Sequence, residues 1–166
     1  MGPSFLGRVR GNRPPSGGTS ILAHVYSASV QGVESYSVSV EVNLSVGLPP
    51  FVVVGLPQGA VREGRERVTA ALQNIGHALP PQRITVQLAP ADGPKERSAF
   101  YLPIALALLI GMGVVPQDRV EGLCFVGDLG LRGRLRPVRG ALPIASGCKE
   151  RGLGARSSNT CLAGPR

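Results

Sequence analysis

Arg132, Arg134, Arg136 and Arg139 follow an apolar run over Leu123 to Val126 and a turn at Gly127-Asp128-Leu129-Gly130. Alternation with Gly133, Leu135 and Pro137 predicts a strand over Arg134 to Val138 and sets Arg132, Arg134 and Arg136 on one face, a guanidinium track suited to phosphate oxygens. The alternative is an exposed hairpin whose arginines are only solvated. Stacking partners for single-stranded nucleic acid are few, because the chain has no Trp and its Tyr and Phe residues are scattered.

Other chemistries are bounded quickly. A phosphate-binding loop needs Gly-Lys-Ser/Thr, and the two lysines, Lys95 after Pro94 and Lys149 after Cys148, stand in no such string. Without it nothing would hold β- and γ-phosphates or position magnesium, so ATP hydrolysis by this chain alone is not expected. Cys124, Cys148 and Cys161 form no CxxC pair, which points to a reducing cytoplasm and not to a disulfide frame or a zinc site, and Cys124 in an apolar strand and Cys148 among helix residues read as packing groups. His24 and His77 have no neighbour at metal-ligand spacing. Asp128 and Glu121 flank a strand and read as turn and loop residues, and Gly127, Gly130 and Gly133 follow no GxGxxG order.

The elements that must position these residues come from hydrophobic period. Phe51 to Val54, bounded by Pro49-Pro50 and Gly55, reads as a buried strand. A helix follows from Gly59, with Val61, Val68, Leu72 and Ile75 on one face, a salt-bridged face of Arg62, Glu63, Arg65, Glu66 and Arg67, and Gly76 as its stop. Ile84, Val86 and Leu88 alternate with Thr85 and Gln87 as a half-buried strand, and a polar loop over residues 90–97 leads to a second helix over Ala99 to Met112. That helix is apolar nearly all round, so it must be packed between other elements. Ser98, Pro103 and Gly111 interrupt it, which leaves it at the lower edge of membrane-spanning length, and no membrane partner is expected.

The strings LPPFVVVGLP, VREGRERVTAALQNIG, PPQRITVQLAPAD, LPIALALL and LRGRLRPVRGALPIA carry a resemblance to the N-terminal domain of the ComM (YifB) family, magnesium-chelatase-like AAA+ ATPases. It runs from about Ala23 to Gly152. It implies an α/β fold of the Lon-protease-like kind, related to ribosomal-protein second domains, with a mixed sheet and two to three packed helices. It also implies an ATPase module, with ATP and Mg as that module's cofactors, in a part of the family protein that this chain lacks. At 166 residues the chain can bury one core, with no room for a second module of normal size.

A Lon-like fold suggests hydrolysis by a serine and a lysine, and the residues oppose it. The family string puts Ala99 at the nucleophile position, with Ser98 one residue early. On a helix that shift rotates a side chain by roughly 100°, so capping the helix suits Ser98 better. The lysine position falls near Leu142, which cannot take a proton. Where relatives carry an acid before Leu-Pro, this chain has Tyr101.

Residues 1–20 read as a disordered basic leader without a secretory apolar region, a start placed too far upstream or a functional arm. Gly154 to Arg166 are small, polar and aperiodic, so residues 153–166 read as an irregular tail, and the Lon-like domain as 21–152. The formal charge of +8 falls largely on these ends: residues 21–150 hold twelve basic and ten acidic side chains, so bulk charge argues little for DNA. The expectation is a non-catalytic, cytoplasmic accessory domain of a truncated ComM-like ATPase. It needs no cofactor of its own and serves assembly and DNA contact during DNA remodelling or recombination. Candidate partners are DNA, an ATPase module in cis or in trans, and further copies of the chain. A stand-alone nucleic-acid-binding module and a residual Lon-type serine hydrolase are the alternatives.

Overall fold

The computed structural model describes residues 20–48, 50–90 and 97–157. The leader, apart from Ser20, the loop over 91–96, and the tail from residue 158 with Cys161 lie outside the described residues.

The first two strands, β1 (Ile21–Gln31) and β2 (Glu34–Ser45), form an antiparallel hairpin closed at Gly32, whose φ of 63° suits a two-residue turn. Register sets the faces. Ala23 pairs with Val42 and Val25 with Val40, while β4 (Arg83–Ala89) sets Leu88, Val86 and Ile84 beside Val40, Val42 and Leu44. All of these side chains are buried, so one face of β1, β2 and β4 is a continuous aliphatic surface. Strand β3 (Phe51–Val54) joins β4 in parallel at one edge, so it is half-buried to exposed and not the buried strand its apolar run suggests, and β5 (Leu123–Val126) joins β1 in parallel on the other side.

Helices α1 (Gln58–Asn74) and α2 (Tyr101–Gly111) cover the aliphatic face. Helix α2 buries Tyr101, Ile104, Ala105, Ala107, Leu108 and Ile110, which explains a helix apolar all round: it lies between the sheet and α1. The face of α1 is rotated from the one read from period. Ala60, Gly64, Val68, Ala71 and Leu72 are buried, whereas Val61 is half-buried and Ile75 exposed. The cause is Gly64, which admits the Tyr101 ring so closely that a Cβ there would stand 2.9 Å from Cε1. Gly76, at φ 89°, ends α1, and the His77 amide closes back on the Leu72 carbonyl at 2.9 Å.

Helix α3 (Ala141–Glu150) packs on the opposite face. Tyr26 is opposite Cys124 in register, so Ala28, Cys124 and Val126 point away from the aliphatic face and meet Ile144 and Cys148 in a second, smaller core. Among the described residues the main sheet has six strands in the order β3-β4-β2-β1-β5-β8, and the class is mixed α/β with three α-helices, as the resemblance implies.

Two further sequence expectations need correction. The irregular tail begins later than residue 153: Gly154–Ser157 forms strand β8, parallel to β5 from Leu123↔Gly154 to Val126↔Ser157. Its sequence, Gly-Ala-Arg-Ser, carries no apolar period, and backbone pairing plus the packing of Leu153 and Ala155 on the second core make the strand. Ser98 does not cap α2. It lies in a 3-10 turn over Arg97–Phe100, and the N-cap position belongs to Phe100, with no side-chain cap. No helix among the described residues is long and apolar enough to cross a membrane.

Replacing Gly64 by Ala is expected to destabilise the protein. The overpacking cost of about 1–3 kcal/mol against the buried ring outweighs the gain of about 1 kcal/mol in helix propensity. Chemical denaturation measures the sign.

Candidate nucleic-acid interface

A short two-stranded hairpin carries the arginines: β6 (Asp128–Leu129) pairs antiparallel with β7 (Leu135–Arg136), with Asp128 opposite Arg136. The strand expected over Arg134 to Val138 is therefore only two residues long. The turn expected at Gly127 to Gly130 lies further on, at Gly130 to Gly133, where the Gly130 amide bonds the Arg134 carbonyl at 2.8 Å and the Gly133 amide bonds the Gly130 carbonyl at 2.9 Å. Arg132 is in the turn, Arg134 precedes β7 and Arg136 is within it, so strand alternation does not align them. The curl of the hairpin gathers them instead. All three are exposed and line one open depression of about 390 Å³ with Gly130, Leu131 and Leu135. Arg139, also exposed, stands outside that lining, just before the N-cap Gly140 of α3.

Groups far away in sequence hold the hairpin. The Asn74 side-chain amide at the end of α1 donates to the Leu131 carbonyl at 2.7 Å. Gly133 lies against Ile75, where a Cβ would come within 2.5 Å of Cγ2. At the root, Arg67 donates to Asp128 Oδ1 at 3.4 Å and to Glu63 Oε1 at 2.9 Å, and its guanidinium carbon sits 5.3 Å from the centre of the Tyr101 ring. Asp128 is thus a strand residue in an ion pair that is only 15% exposed on its own side, not a turn residue as expected. Tyr101, standing where the resemblance expects an acid, lies buried beneath that guanidinium. The salt-bridged face of α1 is present in Arg62–Glu66 and Arg67–Glu63. The Asp128 partner was invisible because 61 residues separate it from Arg67.

The remaining candidate residues are dispersed. Ala99 is buried in the second core and Leu142 is 79% exposed on the first turn of α3, so neither offers hydrolytic chemistry. His24 lies in β1, edge-on to Tyr26, with its backbone N–H and C=O bracketed by the Gln117 side-chain amide at 3.1 and 2.9 Å. His77 follows the end of α1, and Glu121 is an exposed loop residue. No group of three or more His, Cys, Asp or Glu that could hold a metal gathers among the described residues.

The two described cysteines, expected as separate packing groups, are buried and meet each other. The hydrogen bond with Cys148 and then burial push the Cys124 thiol far up. The same bond lowers Cys148 to about 7, against the raising effect of burial and with help from Arg151.

A family match begins within β2 and ends within β8. Residues 40–155 match the family described as subunit ChlI of Mg-chelatase, and the chain belongs to it. It is 45% identical over 122 residues to competence protein ComM of Haemophilus influenzae, an overlap of 74% of this chain and 24% of that protein. Its identity to the YifB proteins of Salmonella typhimurium and Escherichia coli is 42% over 125 residues, 75% of this chain and 25% of each relative. The chain spans about a quarter of the length of these relatives, and corresponds to their N-terminal quarter.

Replacing Arg67 by Ala is expected to cost about 2 kcal/mol in denaturant unfolding, because a largely buried Asp128 loses its charged hydrogen-bond partner. The thiols give a pH signature. Cys148, lowered from 9.0, contributes stability present above that ordinary value and lost as pH falls through about 7; Cys124, raised, works in the opposite sense above the ordinary thiol range. Thiolate absorbance is expected to show one thiolate forming near pH 7, and Cys124→Ala to move that midpoint upward.

Proposed function

We propose that this chain is a non-catalytic N-terminal module of a magnesium-chelatase-like ATPase protein, serving assembly and contact with DNA during DNA remodelling or recombination in the cytoplasm. The observation that carries the reading is the latched hairpin: Arg132, Arg134 and Arg136 expose three guanidinium groups around one depression, and Asn74, Arg67 and Gly133 fix that depression on the body of the fold. Guanidinium groups held by a rigid support suit phosphate oxygens, which position a protein on nucleic acid without reading sequence. Arg139 lies outside this depression and serves as a peripheral contact.

The non-catalytic part of the reading is supported by Ala99 at the nucleophile position, Leu142 at the lysine position and the lack of a Gly-Lys-Ser/Thr string. ATP and Mg belong, in this reading, to the three quarters of the relatives that the chain does not span. The module's partners are then that ATPase part, in cis or in trans, and further copies of the module.

Fluorescence anisotropy with labelled duplex DNA across a salt series tests the DNA contact. Binding is expected to weaken linearly in log–log form, and the combined Arg132→Glu, Arg134→Glu and Arg136→Glu substitutions to flatten the slope by about 2.7, the contribution of three phosphate contacts. An unchanged slope in a folded triple variant would exclude the hairpin as a DNA contact.

A further inference from the structure

The six-stranded sheet ends on one side at β3, whose outer edge has no strand beside it among the described residues. The hydrogen-bond pattern shows which groups face outward. The Ile84 amide bonds the Pro50 carbonyl at 3.3 Å, and Phe51 and Val53 are the bridge partners of Ile84 and Val86. In a parallel ladder the residue between two bonded neighbours points its own N–H and C=O the other way, so the backbone groups of Phe51 and Val53 face the open edge. Beside that edge, a groove of about 580 Å³ runs between β3 and α1, with Phe51, Val53, Leu56 and Val61 as apolar lining and Arg62, Arg65 and Glu66 on its helix side.

We propose that this groove binds an extended, acidic peptide segment as an added strand on β3. The outward backbone groups offer a template that only a partner in strand conformation can match. The apolar lining takes alternate aliphatic side chains of such a strand, because successive residues point to opposite faces. Charge selects the class of peptide: Glu66 engages Arg62 at 3.3 Å, so the lining carries one excess positive charge, and Arg65 is the guanidinium it offers to a carboxylate. The groove shares no residue with the arginine hairpin depression, so the two sites are tested independently.

The probe is a fluorescein-labelled heptapeptide alternating valine with threonine, with a glutamate at each end. Two companions accompany it: one N-methylated on alternate backbone nitrogens, and one with lysine for glutamate. Anisotropy titration of the whole chain is expected to show saturable binding of the parent. The affinity is expected to fall about tenfold for the N-methylated peptide, which keeps the side chains and loses the strand hydrogen bonds. Val53→Pro deletes an outward N–H at a place where an edge strand tolerates proline, and is expected to lose binding without changing circular dichroism. Arg65→Glu is expected to shift preference from the glutamate to the lysine peptide.

Equal binding of parent and N-methylated peptides would overturn the proposal, as would undiminished binding to a folded Val53→Pro protein. If Val53→Pro fails to fold, the comparison of the two peptides on the unaltered chain decides alone. Absence of saturable binding at about millimolar peptide also overturns it. Sedimentation showing a dimer that Val53→Pro converts to monomer would assign the edge to a second copy instead.

Discussion

The register of the β1–β2 hairpin is the constraint on which the rest of the molecule depends. Eleven consecutive pairs, from Ile21↔Leu44 to Gln31↔Glu34, fix which side chains point up and which point down. Because side chains alternate with a period of two, a slip of one residue would turn Val38, Val40 and Val42 to the face that carries Ser37, Ser39 and Glu41. The two-residue turn at Gly32 prevents that slip locally, and β4 repeats the same parity on the other flank of β2. Both cores follow from this one choice: the aliphatic face takes α1 and α2, and the reverse face at β1 and β5 takes α3.

From that frame, chemistry is displayed at the rim. Helix α2 sits so deep that its first residue, Tyr101, fills the space opened by Gly64 and supports the Arg67 guanidinium from below. Arg67 then faces Asp128 and draws the base of the hairpin toward α1, while Asn74 and Gly133 tie down its tip. A two-residue strand pair has little stability of its own. The arginine depression therefore owes its shape to helix α1 more than to the hairpin ladder that bears it.

Among the described residues both edges of the sheet are short, four residues in each of β3 and β8, which limits adventitious pairing of exposed backbone. They differ in surroundings. Strand β8 closes against α3 and the second core, whereas β3 borders an open groove with arginines on its helix side. The two surfaces thus differ in kind: one is basic and formed by a curled turn, the other is a short strand edge beside a partly apolar groove.

The sequence by itself determined the elements whose signal is local: the alternation in Ile84, Val86 and Leu88, the strand at Phe51–Val54, the stop at Gly76, and an α2 too apolar to lie on the surface. It also marked the hairpin arginines as a group. Tertiary structure alone decided what depends on partners distant in the chain. The buried face of α1 is turned by the fit of Tyr101 to Gly64, a fact about volume that hydrophobic period does not encode. Strand β8 exists because β5 offers it a backbone edge, although Gly154 to Ser157 carry no apolar alternation. The Asp128–Arg67 pair and the contact between Cys124 and Cys148 join residues remote in sequence, so no local window could reveal them. The arginine depression forms by curling and not by strand alternation, because residues 130–134 satisfy their hydrogen bonds in a turn, leaving Arg132, Arg134 and Arg136 around a shared hollow.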